Sequence, residues 1–327
     1  MKKYEPIPLE EIRSAKKRIK DFIVRTPLVK LNQEDAPAEI YLKLETLQPI
    51  GSFKIRGACN AMRSANPDEL QHGVWTMSGG NHGQGVAYSA KRMGLKCTVF
   101  MPNIMARTKL EAMERMGAEV RLVDFKNITD QNLAFKKFLD PETYKDMEGY
   151  LIHPFSDPKV MAGQGTIGIE IIEDLPDVDT VVIPYGGGGL ACGIASALRA
   201  LKPDVKIYGC QPETGASLRA SFKEGRAVEV NYEPSFVESA GSGFLFPEMW
   251  DLAKRLLDGG LTASLEGTAS AIRLMAERNK VIAEGAGAVS VAASLAGKAG
   301  VGKVVCIVSG ASIDTEKLVK ILQGKTP

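Results

Sequence analysis

Cysteine and histidine are scarce in this chain, and neither is arranged as a disulfide framework or a metal site would require. Among 327 residues there are five cysteines and three histidines. The cysteines are widely spaced, they form no C-x-x-C pair, and no histidine lies at ligand spacing from them. They are Cys59, Cys97, Cys192, Cys210 and Cys306. We therefore expect reduced, structural thiols and no zinc site.

An excess of one charge and a long apolar run are also missing. The chain has 41 basic and 39 acidic residues, which gives a formal charge of +2, and both signs are interspersed along it. This balance argues against nucleic acid or an anionic membrane as a partner. No stretch reaches the ~18 apolar residues of a membrane span, and no apolar run follows the N-terminal Lys2 and Lys3. We expect a soluble, cytoplasmic protein.

The chain does contain a repeated alternation of short apolar runs and amphipathic segments. Strand-like runs cover residues 74–77, 97–101, 120–123, 180–184, 206–210 and 303–308, and helical spacing covers 9–20, 84–93, 107–116 and 190–201. This alternation predicts an α/β fold, with parallel sheets and helical crossovers. The length and the 44% hydrophobic content suit about two domains. We predict a small domain at residues 76–151 and a large domain made of residues 1–75 and 152–327.

Residues 51–58 contain a lysine whose neighbours are unusual for a surface position. Lys54 follows the aromatic Phe53 and is flanked by glycines, just after the apolar-alternating run of residues 40–44. We interpret its stem as lying inside the protein and its amine as facing a cavity. Burial lowers the pKa of a lysine, and a Schiff base with an aldehyde cofactor requires such an amine. The alternative is an ordinary solvated lysine.

Four consecutive glycines lie between a β-branched strand and a helical run. Gly186, Gly187, Gly188 and Gly189 can point backbone N–H groups at an oxyanion, because no side chain covers them. The dipole of the following helix adds partial positive charge at the same place. We interpret this loop as a phosphate cradle, although a flexible glycine linker is the alternative.

The glycine loop also permits a different cofactor. Gly186, Gly188 and Ala191 satisfy the looser G-x-G-x-x-A fingerprint of dinucleotide sites. The next predicted strand ends near Gln211 and Glu213, where an acid that binds ribose would lie. An NAD-dependent oxidoreductase is therefore a rival interpretation, but it leaves the lysine segment unexplained.

A second loop, Ser78-Gly79-Gly80-Asn81-His82, follows a predicted strand and precedes a predicted helix. Open α/β sheets bind ligands at such positions. The exposed N–H groups and the hydroxyl suit a carboxylate, so we predict that the substrate binds here. Asn81 offers an amide donor for a phenolate oxygen. His82 is either a general base or a residue that fixes the loop by hydrogen bonding.

Ser309 directly follows the last predicted strand, so we expect it to face the same cleft. Its hydroxyl can bond a heteroaromatic nitrogen without protonating it. A serine before a glycine at the end of a strand is also ordinary turn chemistry, which is the alternative.

Taken together, these segments resemble the fold-type II pyridoxal 5′-phosphate (PLP) enzymes, most closely the threonine/serine ammonia-lyase (dehydratase) and serine racemase family. The similarity covers nearly the whole chain, and the motifs fall in the family's order at residues 26–28, 44–58, 78–84, 186–190 and 284–288. The resemblance implies an α/β fold like that of tryptophan synthase β, with two open parallel-sheet lobes, helices on both faces and the cofactor in the cleft between them. The large domain would bind PLP and the small domain the substrate.

The resemblance also implies a role for each motif. Lys54 would form the Schiff base with PLP and move the α-proton of the substrate. Phe53 would pack against the cofactor, and Asn81 would bond its phenolic oxygen. The residues from Gly186 to Leu190 would hold the phosphate. Ser309 would be the partner of the pyridine nitrogen. A hydroxyl leaves this nitrogen largely neutral, and a neutral nitrogen favours loss of a β-substituent.

The implied reaction is the conversion of an L-3-hydroxy amino acid, such as L-threonine or L-serine, into a 2-oxo acid and ammonia by a homodimer. Gly79 stands where racemases carry a serine as second acid or base, so racemase activity should be weak or absent. Gln211 and Ser217 stand where the family has acidic cation ligands, so we predict no metal. The chain ends at Pro327, soon after the last helix, and we expect no C-terminal regulatory domain.

The identity of the substrate stays open. Ser239 and Ala240 stand where relatives have an Asp-Gly pair, which indicates an altered pocket. L-threo-3-hydroxyaspartate and 3-phenylserine are therefore alternatives, and so is a PLP carrier without turnover. A dicarboxylate would need a cation, for which Arg107 and Arg219 are candidates. We expect the irregular region 232–249 to form a wall of the cleft.

Overall fold

Two β-sheets organise the chain in the computed structural model, which describes residues 3–103, 107–124 and 147–327. One sheet has six strands in the order β1-β2-β10-β7-β8-β9, and the other has four in the order β5-β4-β3-β6. The strands are β1 (Leu28–Lys30), β2 (Glu39–Leu44), β3 (Val74–Met77), β4 (Cys97–Pro102), β5 (Glu119–Val123), β6 (Tyr150–Leu151), β7 (Thr180–Pro184), β8 (Lys206–Pro212), β9 (Gly259–Ala263) and β10 (Lys303–Val308).

All strand pairs in both sheets are parallel except β1 with β2, which is antiparallel. Parallel neighbours require crossovers, and the helices supply them. The helices are α1 (Leu9–Ile19), α2 (Lys54–Arg63), α3 (Pro67–Leu70), α4 (Asn81–Met93), α5 (Arg107–Arg115), α6 (Pro158–Asp174), α7 (Gly189–Leu201), α8 (Ser217–Glu224), α9 (Pro247–Leu256), α10 (Leu265–Leu274), α11 (Gly285–Leu295) and α12 (Thr315–Leu322). The predicted α/β fold with two parallel-sheet lobes is confirmed.

Alternate residues of the central strands point into two different cores. Val181 and Ile183 of β7 join one apolar cluster, which also contains Ile12 of α1 and residues of α6, α7 and α9. Val182, between them, joins the opposite cluster, with residues of α10, α11 and α12. The smaller sheet packs on a third cluster, to which α2 and α4 contribute. The six-stranded sheet is therefore covered on both faces, as its continuous apolar strands require.

The helix α6 shows how closely the elements around the site approach each other. A Cβ at Gly163 would lie 2.5 Å from the Arg56 backbone oxygen of α2, and one at Gly165 would lie 2.8 Å from the Gly193 backbone oxygen of α7. Glycine at these positions lets three helices pack backbone to backbone. The helix begins at a capped turn, where Asp157 accepts from the Lys159 N–H and Pro158 occupies the first position.

Element bounds differ from the sequence prediction mainly at glycine-rich ends. The helix predicted from residue 84 begins at Asn81, because the Ser78 loop ends at Gly80 and Asn81 already belongs to the first turn. The helix predicted from Leu190 begins at Gly189, after Gly188. The strand β3 begins at Val74, so the predicted domain boundary at residue 76 falls inside that strand. The division into two domains stays a prediction.

Two further features concern the class of protein. In the part of the chain that the structure describes, no helix is long and apolar enough to cross a membrane. All five cysteines are buried and none forms a disulfide. Burial raises the pKa of each thiol, for example to about 12 at Cys306. The prediction of structural thiols agrees with this burial, since a protonated thiol is a poor nucleophile.

Candidate active site

A cleft of about 660 Å³ opens at the carboxyl ends of strands from both sheets. β3 is followed by Ser78, β7 by the glycine loop and β10 by Ser309, and all three segments line the cleft. Every site residue predicted from the sequence lies in this lining: Phe53, Lys54, Ser78, Gly79, Gly80, Asn81, His82, Gly186, Gly187, Gly188, Gly189, Leu190 and Ser309. The fold thus brings together residues that are dispersed over most of the chain.

Lys54 is the first residue of helix α2 and projects its amine into the cleft. Its Nζ donates to the backbone oxygen of Pro154 at 2.7 Å and lies 5.3 Å from the centre of the Phe53 ring. Burial lowers the pKa of Lys54 to about 8, and the charge of Glu284 opposes that shift. About a tenth of the lysine is then neutral at pH 7, which is enough for attack on an aldehyde.

The residues around the glycine loop themselves require glycine at several of its positions. A Cβ at Gly187 would lie 2.4 Å from the Phe155 ring, and a Cβ at Gly186 would lie 2.5 Å from the Ser239 backbone oxygen. Gly188 has a φ of +91°, in the left-handed region that favours glycine. The four glycines line the cleft and place no side chains of their own at the N-terminus of α7, the positive end of the helix dipole. This arrangement suits a phosphate.

The residues that a dinucleotide would require lie elsewhere. The Gln211 side chain is buried, and its Oε1 accepts from the Leu218 N–H at 2.7 Å. Glu213 is exposed in a short 3₁₀ turn after β8. Neither residue is among those that line the cleft. Neither of the two residues proposed to bind a ribose therefore reaches the cleft, which removes the support for the NAD interpretation.

Asn81 opens helix α4 and is paired with a residue to which sequence reasoning gave no role. Its Nδ2 donates to Glu284 Oε1 at 2.7 Å, while its Oδ1 is buried and has no hydrogen-bond partner among the described residues. Gly310 makes this pairing possible, because a Cβ there would lie 2.5 Å from the Glu284 carboxylate. Glu284 belongs to the 284–288 motif, so the motif itself was the available signal. An unpaired buried amide oxygen beside the cleft fits a polar ligand.

The His82 ring is hydrogen-bonded to the backbone, as expected for a residue that fixes the loop. Its ring Nε2 lies 3.0 Å from the Ile152 backbone oxygen, which can only accept, so Nε2 carries the proton. Burial, together with the charge of Lys54, holds the pKa of His82 well below its usual range. The ring is therefore neutral at working pH. The geometry favours the loop-fixing alternative over the general base.

The remaining predicted residues shape the walls. Ser78 Oγ accepts from the Gly80 N–H at 3.2 Å, which folds the loop back on itself. Ser309 is buried, and its backbone oxygen accepts from the Phe53 N–H at 3.1 Å. This bond joins the end of β10 to the turn that carries Lys54. Gly79 and Gly80 contribute no side chain to the cleft.

The irregular region contributes to a wall, as predicted, through residues 232–239, while Pro247 onward belongs to α9. Arg219, one of the two predicted arginines, is not among the residues that line the cleft. Arg219 donates to Thr262 Oγ1 at 3.0 Å, and the side chain of Arg107 lies outside the described residues. The cation at this wall is Lys317, which sequence reasoning missed. It pairs with Glu238 at 2.5 Å and Asp314 at 3.2 Å.

The features of the cleft together define a class of enzyme. A lysine with a lowered pKa faces a glycine loop at a helix N-terminus, in a cleft at the ends of two parallel sheets. Such a site suits an aldehyde cofactor that carries a phosphate. No group of three or more His, Cys, Asp or Glu side chains suited to a metal occurs within residues 3–103, 107–124 and 147–327.

Comparison with known proteins gives the family. Residues 19–310 match the family described as pyridoxal-phosphate dependent enzyme, and the chain belongs to it. Its cofactor is PLP, whose phosphate suits the glycine loop and whose aldehyde suits the Lys54 amine.

Individual relatives resemble the chain over almost its full length. An L-threonine ammonia-lyase of Thermotoga maritima is 40% identical over 97% of this chain and 78% of the relative. The solved structure of threonine deaminase isoform 2 from Solanum lycopersicum has a TM-score of 0.86 at 30% identity, and covers 98% of this chain and 94% of its own. Maize serine racemase has a TM-score of 0.87 at 26% identity, and covers 98% of both chains.

Proposed function

We propose that the protein is a PLP-dependent ammonia-lyase that converts an L-3-hydroxy amino acid, L-threonine or L-serine, into a 2-oxo acid and ammonia. The observation that carries the proposal is Lys54, whose amine has a pKa lowered to about 8 and lies in the same cleft as the glycine loop. The relatives named as threonine ammonia-lyase and threonine deaminase support this substrate class.

Each part of the cleft has a task in this reaction. Bound PLP withdraws electrons from the substrate Cα. The neutral amine of Lys54 takes the α-proton, and the β-hydroxyl leaves with a proton as water. The N–H groups of the Ser78 loop hold the substrate carboxylate, and those of the glycine loop hold the phosphate. Ser309 offers an uncharged hydroxyl to the heteroaromatic nitrogen. The enamine product then takes up water and releases ammonia.

A serine racemase is the second candidate, because maize serine racemase has a similar fold. Racemisation needs a group that returns a proton to the opposite face of Cα. Gly79 lines the cleft without a side chain, and His82 is neutral with its Nε2 proton bonded to Ile152. These two observations favour elimination over racemisation.

The charges of the described lining favour a substrate with one carboxylate. The cations are Lys54 and Lys317, and the carboxylates are Glu238, Glu284 and Asp314. Lys317 is already paired with two of them. A second substrate carboxylate, as in 3-hydroxyaspartate, would meet this negative excess at a cost in binding free energy. Threonine, serine and phenylserine avoid it.

The test is a visible spectrum of the purified protein before and after separate additions of four substrates, with detection of ammonia and 2-oxo acid. The substrates are L-threonine, L-serine, L-threo-3-hydroxyaspartate and L-threo-3-phenylserine. We expect a yellow protein whose band changes with ammonia release for a monocarboxylate. A yellow protein that releases no ammonia and forms no D-amino acid with any of them would instead be a PLP carrier. D-amino acid formation from L-serine would support the racemase.

We also propose that the enzyme acts as a homodimer in the cytoplasm, which rests on the family resemblance. Sedimentation velocity measures the first point, with an expected mass of twice that of the chain. A monomer that turns over substrate would contradict it.

A further inference from the structure

A short segment after β6 contacts both parts of the site that would bind the cofactor. Its residues are His153, Pro154, Phe155 and Ser156, and we call it the 153–156 turn. It lies between strand β6 and helix α6. The Pro154 backbone oxygen accepts from Lys54 Nζ at 2.7 Å. The Phe155 ring lies where a side chain at Gly187 would be, 2.4 Å from an added Cβ.

The buried His153 side chain holds this turn together. Its Nδ1 accepts from the Phe155 N–H at 3.2 Å and from the Ser156 N–H at 2.8 Å. Backbone N–H groups only donate, so Nδ1 carries no proton. The same ring packs edge-on against Phe155, with 4.9 Å between ring centres. His153 therefore contributes both a hydrogen-bond acceptor and a packed ring, and these two roles can be separated by substitution.

The far end of the turn is fixed independently. The Tyr4 hydroxyl donates to the Ser156 backbone oxygen at 2.6 Å, and Ser156 Oγ lies 3.3 Å from Glu248 Oε1. On the other side, Ile152 is held by its N–H to Trp75 and by its oxygen, which accepts from Thr76 and His82. With both ends fixed, the direction of the Pro154 carbonyl depends on the two bonds to His153.

We propose that His153 is a positioning residue for Lys54. Its unprotonated Nδ1 folds the 153–156 turn, and the turn presents the Pro154 carbonyl to the Lys54 amine and the Phe155 ring to the glycine loop. A carbonyl stabilises a protonated amine more than a neutral one, so this contact both places Nζ and sustains its pKa against burial. The proposal rests on the assignment of Lys54 as the residue that forms the Schiff base with PLP.

Two matched variants separate the acceptor from the ring. In His153→Asn, Oδ1 is the same number of bonds from Cα as Nδ1, and asparagine commonly accepts from the N–H groups two and three residues on. In His153→Phe, the ring and its edge-on contact with Phe155 are kept but the acceptor is lost. If the acceptor matters, asparagine preserves function and phenylalanine does not. If only packing matters, the order is reversed.

The measurement is the rate at which the visible Schiff-base band appears when PLP is added to the cofactor-stripped full-length protein, as a function of pH. The pH at which this rate is half-maximal, the midpoint, reports the Lys54 pKa. The maximal rate, the plateau reached at high pH, reports how well the amine is placed. Among the described residues, Glu284 and His82 interact electrostatically with Lys54, and both are unchanged in the variants. Circular dichroism verifies that each variant is folded. If His153→Phe does not fold, His153→Ala takes its place as the variant without the acceptor.

We expect His153→Asn to keep the midpoint of the wild type and a plateau within about threefold of it. In His153→Phe the midpoint should fall by about one pH unit, because a hydrogen bond to the charged amine is lost. Its plateau should fall at least about tenfold. A normal midpoint and plateau in His153→Phe would overturn the proposal, as would an asparagine variant as impaired as the phenylalanine one. Lys54→Ala is the control: a Schiff-base band in that variant would instead refute the assignment of Lys54 itself.

Discussion

Two groups of polar side chains, buried except for the half-buried Lys54, lie close together in this molecule. They differ in whether the chain itself supplies all their hydrogen-bond partners. We call them the Arg56 network and the cleft group, and helix α2 carries a member of each, Arg56 and Lys54. The Arg56 network consists of Arg56, Glu45, Glu170, Lys43, Thr26 and Thr166. The cleft group consists of Lys54, Asn81, His82, Glu284 and Ser309.

Arg56 is completely buried, and its guanidinium is fully paired. It binds Glu45 through two bonds of 2.8 and 2.9 Å and Glu170 through two bonds of 2.7 and 2.9 Å. In the cleft group, by contrast, Asn81 Oδ1 and His82 Nδ1 have no partner among the described residues. Buried polar atoms are almost always paired in folded proteins. Asn81 and His82 also line the cleft, so a bound ligand can supply the missing partners.

Lys54 and Arg56, both on α2, show the same difference in their pKa values. Burial acts to lower both. At Arg56 the charges of Glu45 and Glu170 more than reverse this effect, and the pKa lies above its usual value. At Lys54 burial dominates over the charge of Glu284, and the pKa falls to about 8. The number of adjoining carboxylates thus decides which cation is structural and which can lose its proton.

The largest expected effect is on activity, from Lys54→Ala. Removing the amine removes both the Schiff base and the base for the α-proton, so turnover should fall by at least about 1,000-fold. The thermal unfolding midpoint should change little, because Lys54 forms no ion pair with a carboxylate among the residues that the structure describes. Coupled ammonia detection and circular dichroism measure the two quantities. Residual turnover within about tenfold of the wild type would show that Lys54 belongs with the structural cations.

Arg56→Met should have the next largest effect, and on stability. Glu45 would lose its buried cation and Glu170 one of its two, at a cost of about 3–5 kcal/mol. The control is Arg273→Met, since Arg273 pairs with Glu277 at 2.7 Å but the two side chains are 45% and 50% exposed. That change should cost less than about 0.5 kcal/mol. Urea unfolding measures both, and equal losses would contradict the distinction between a buried network and a surface pair.

The loss of stability in Arg56→Met should also depend on pH. Burial would raise the pKa of Glu170, but the charges and hydrogen bonds of Arg56 and Lys43 lower it overall. A lowered carboxyl pKa stabilises the fold above the usual carboxyl pKa, and this contribution disappears as the pH falls through the folded-state value. The difference in stability between the wild type and Arg56→Met should therefore narrow below about pH 4.

A smaller effect is expected from Gly187→Ala, which tests how rigid the cleft wall is. The new methyl group would overlap the Phe155 ring, and overpacking of this kind costs about 1–3 kcal/mol. PLP affinity should fall by about ten- to a hundredfold. Adding Phe155→Ala makes room, so the double variant should bind PLP more tightly than Gly187→Ala alone. Spectroscopic titration with PLP measures this, and strictly additive losses would argue against a steric cause.

The sequence predicts the cleft better than the contacts within it. The Ser78 loop, the glycine loop and Ser309 were recognisable because each is a local pattern at the end of a strand. The partners of the key side chains were not, since Lys54 and Pro154 are 100 residues apart and Asn81 and Glu284 are 203 apart. Pairings at such distances depend on the assembled sheets.

Glycine accounts for two of the elements that the sequence did not predict. The strand β9 begins with Gly259 and Gly260, and glycine weakens the strand signal, so the sequence did not predict it. In α6, Gly163 and Gly165 weaken the helical signal although they are needed for close helix packing. At the glycine loop, phosphate binding explains only part of the need for glycine. Phe155 and Ser239 also leave no room for side chains at Gly187 and Gly186.

The smallest expected effect concerns His82, and it sharpens the comparison within the cleft group. In His82→Gln, the new amide can still donate to the Ile152 oxygen, so the loop should keep its shape. Because the wild-type ring is neutral and its proton is committed to that oxygen, turnover should fall by less than about tenfold. The pH profile of turnover should keep its shape, including the limb that follows the deprotonation of Lys54. A loss of about a hundredfold or more, together with the disappearance of one limb, would identify His82 as a general base and not as the residue that fixes the loop.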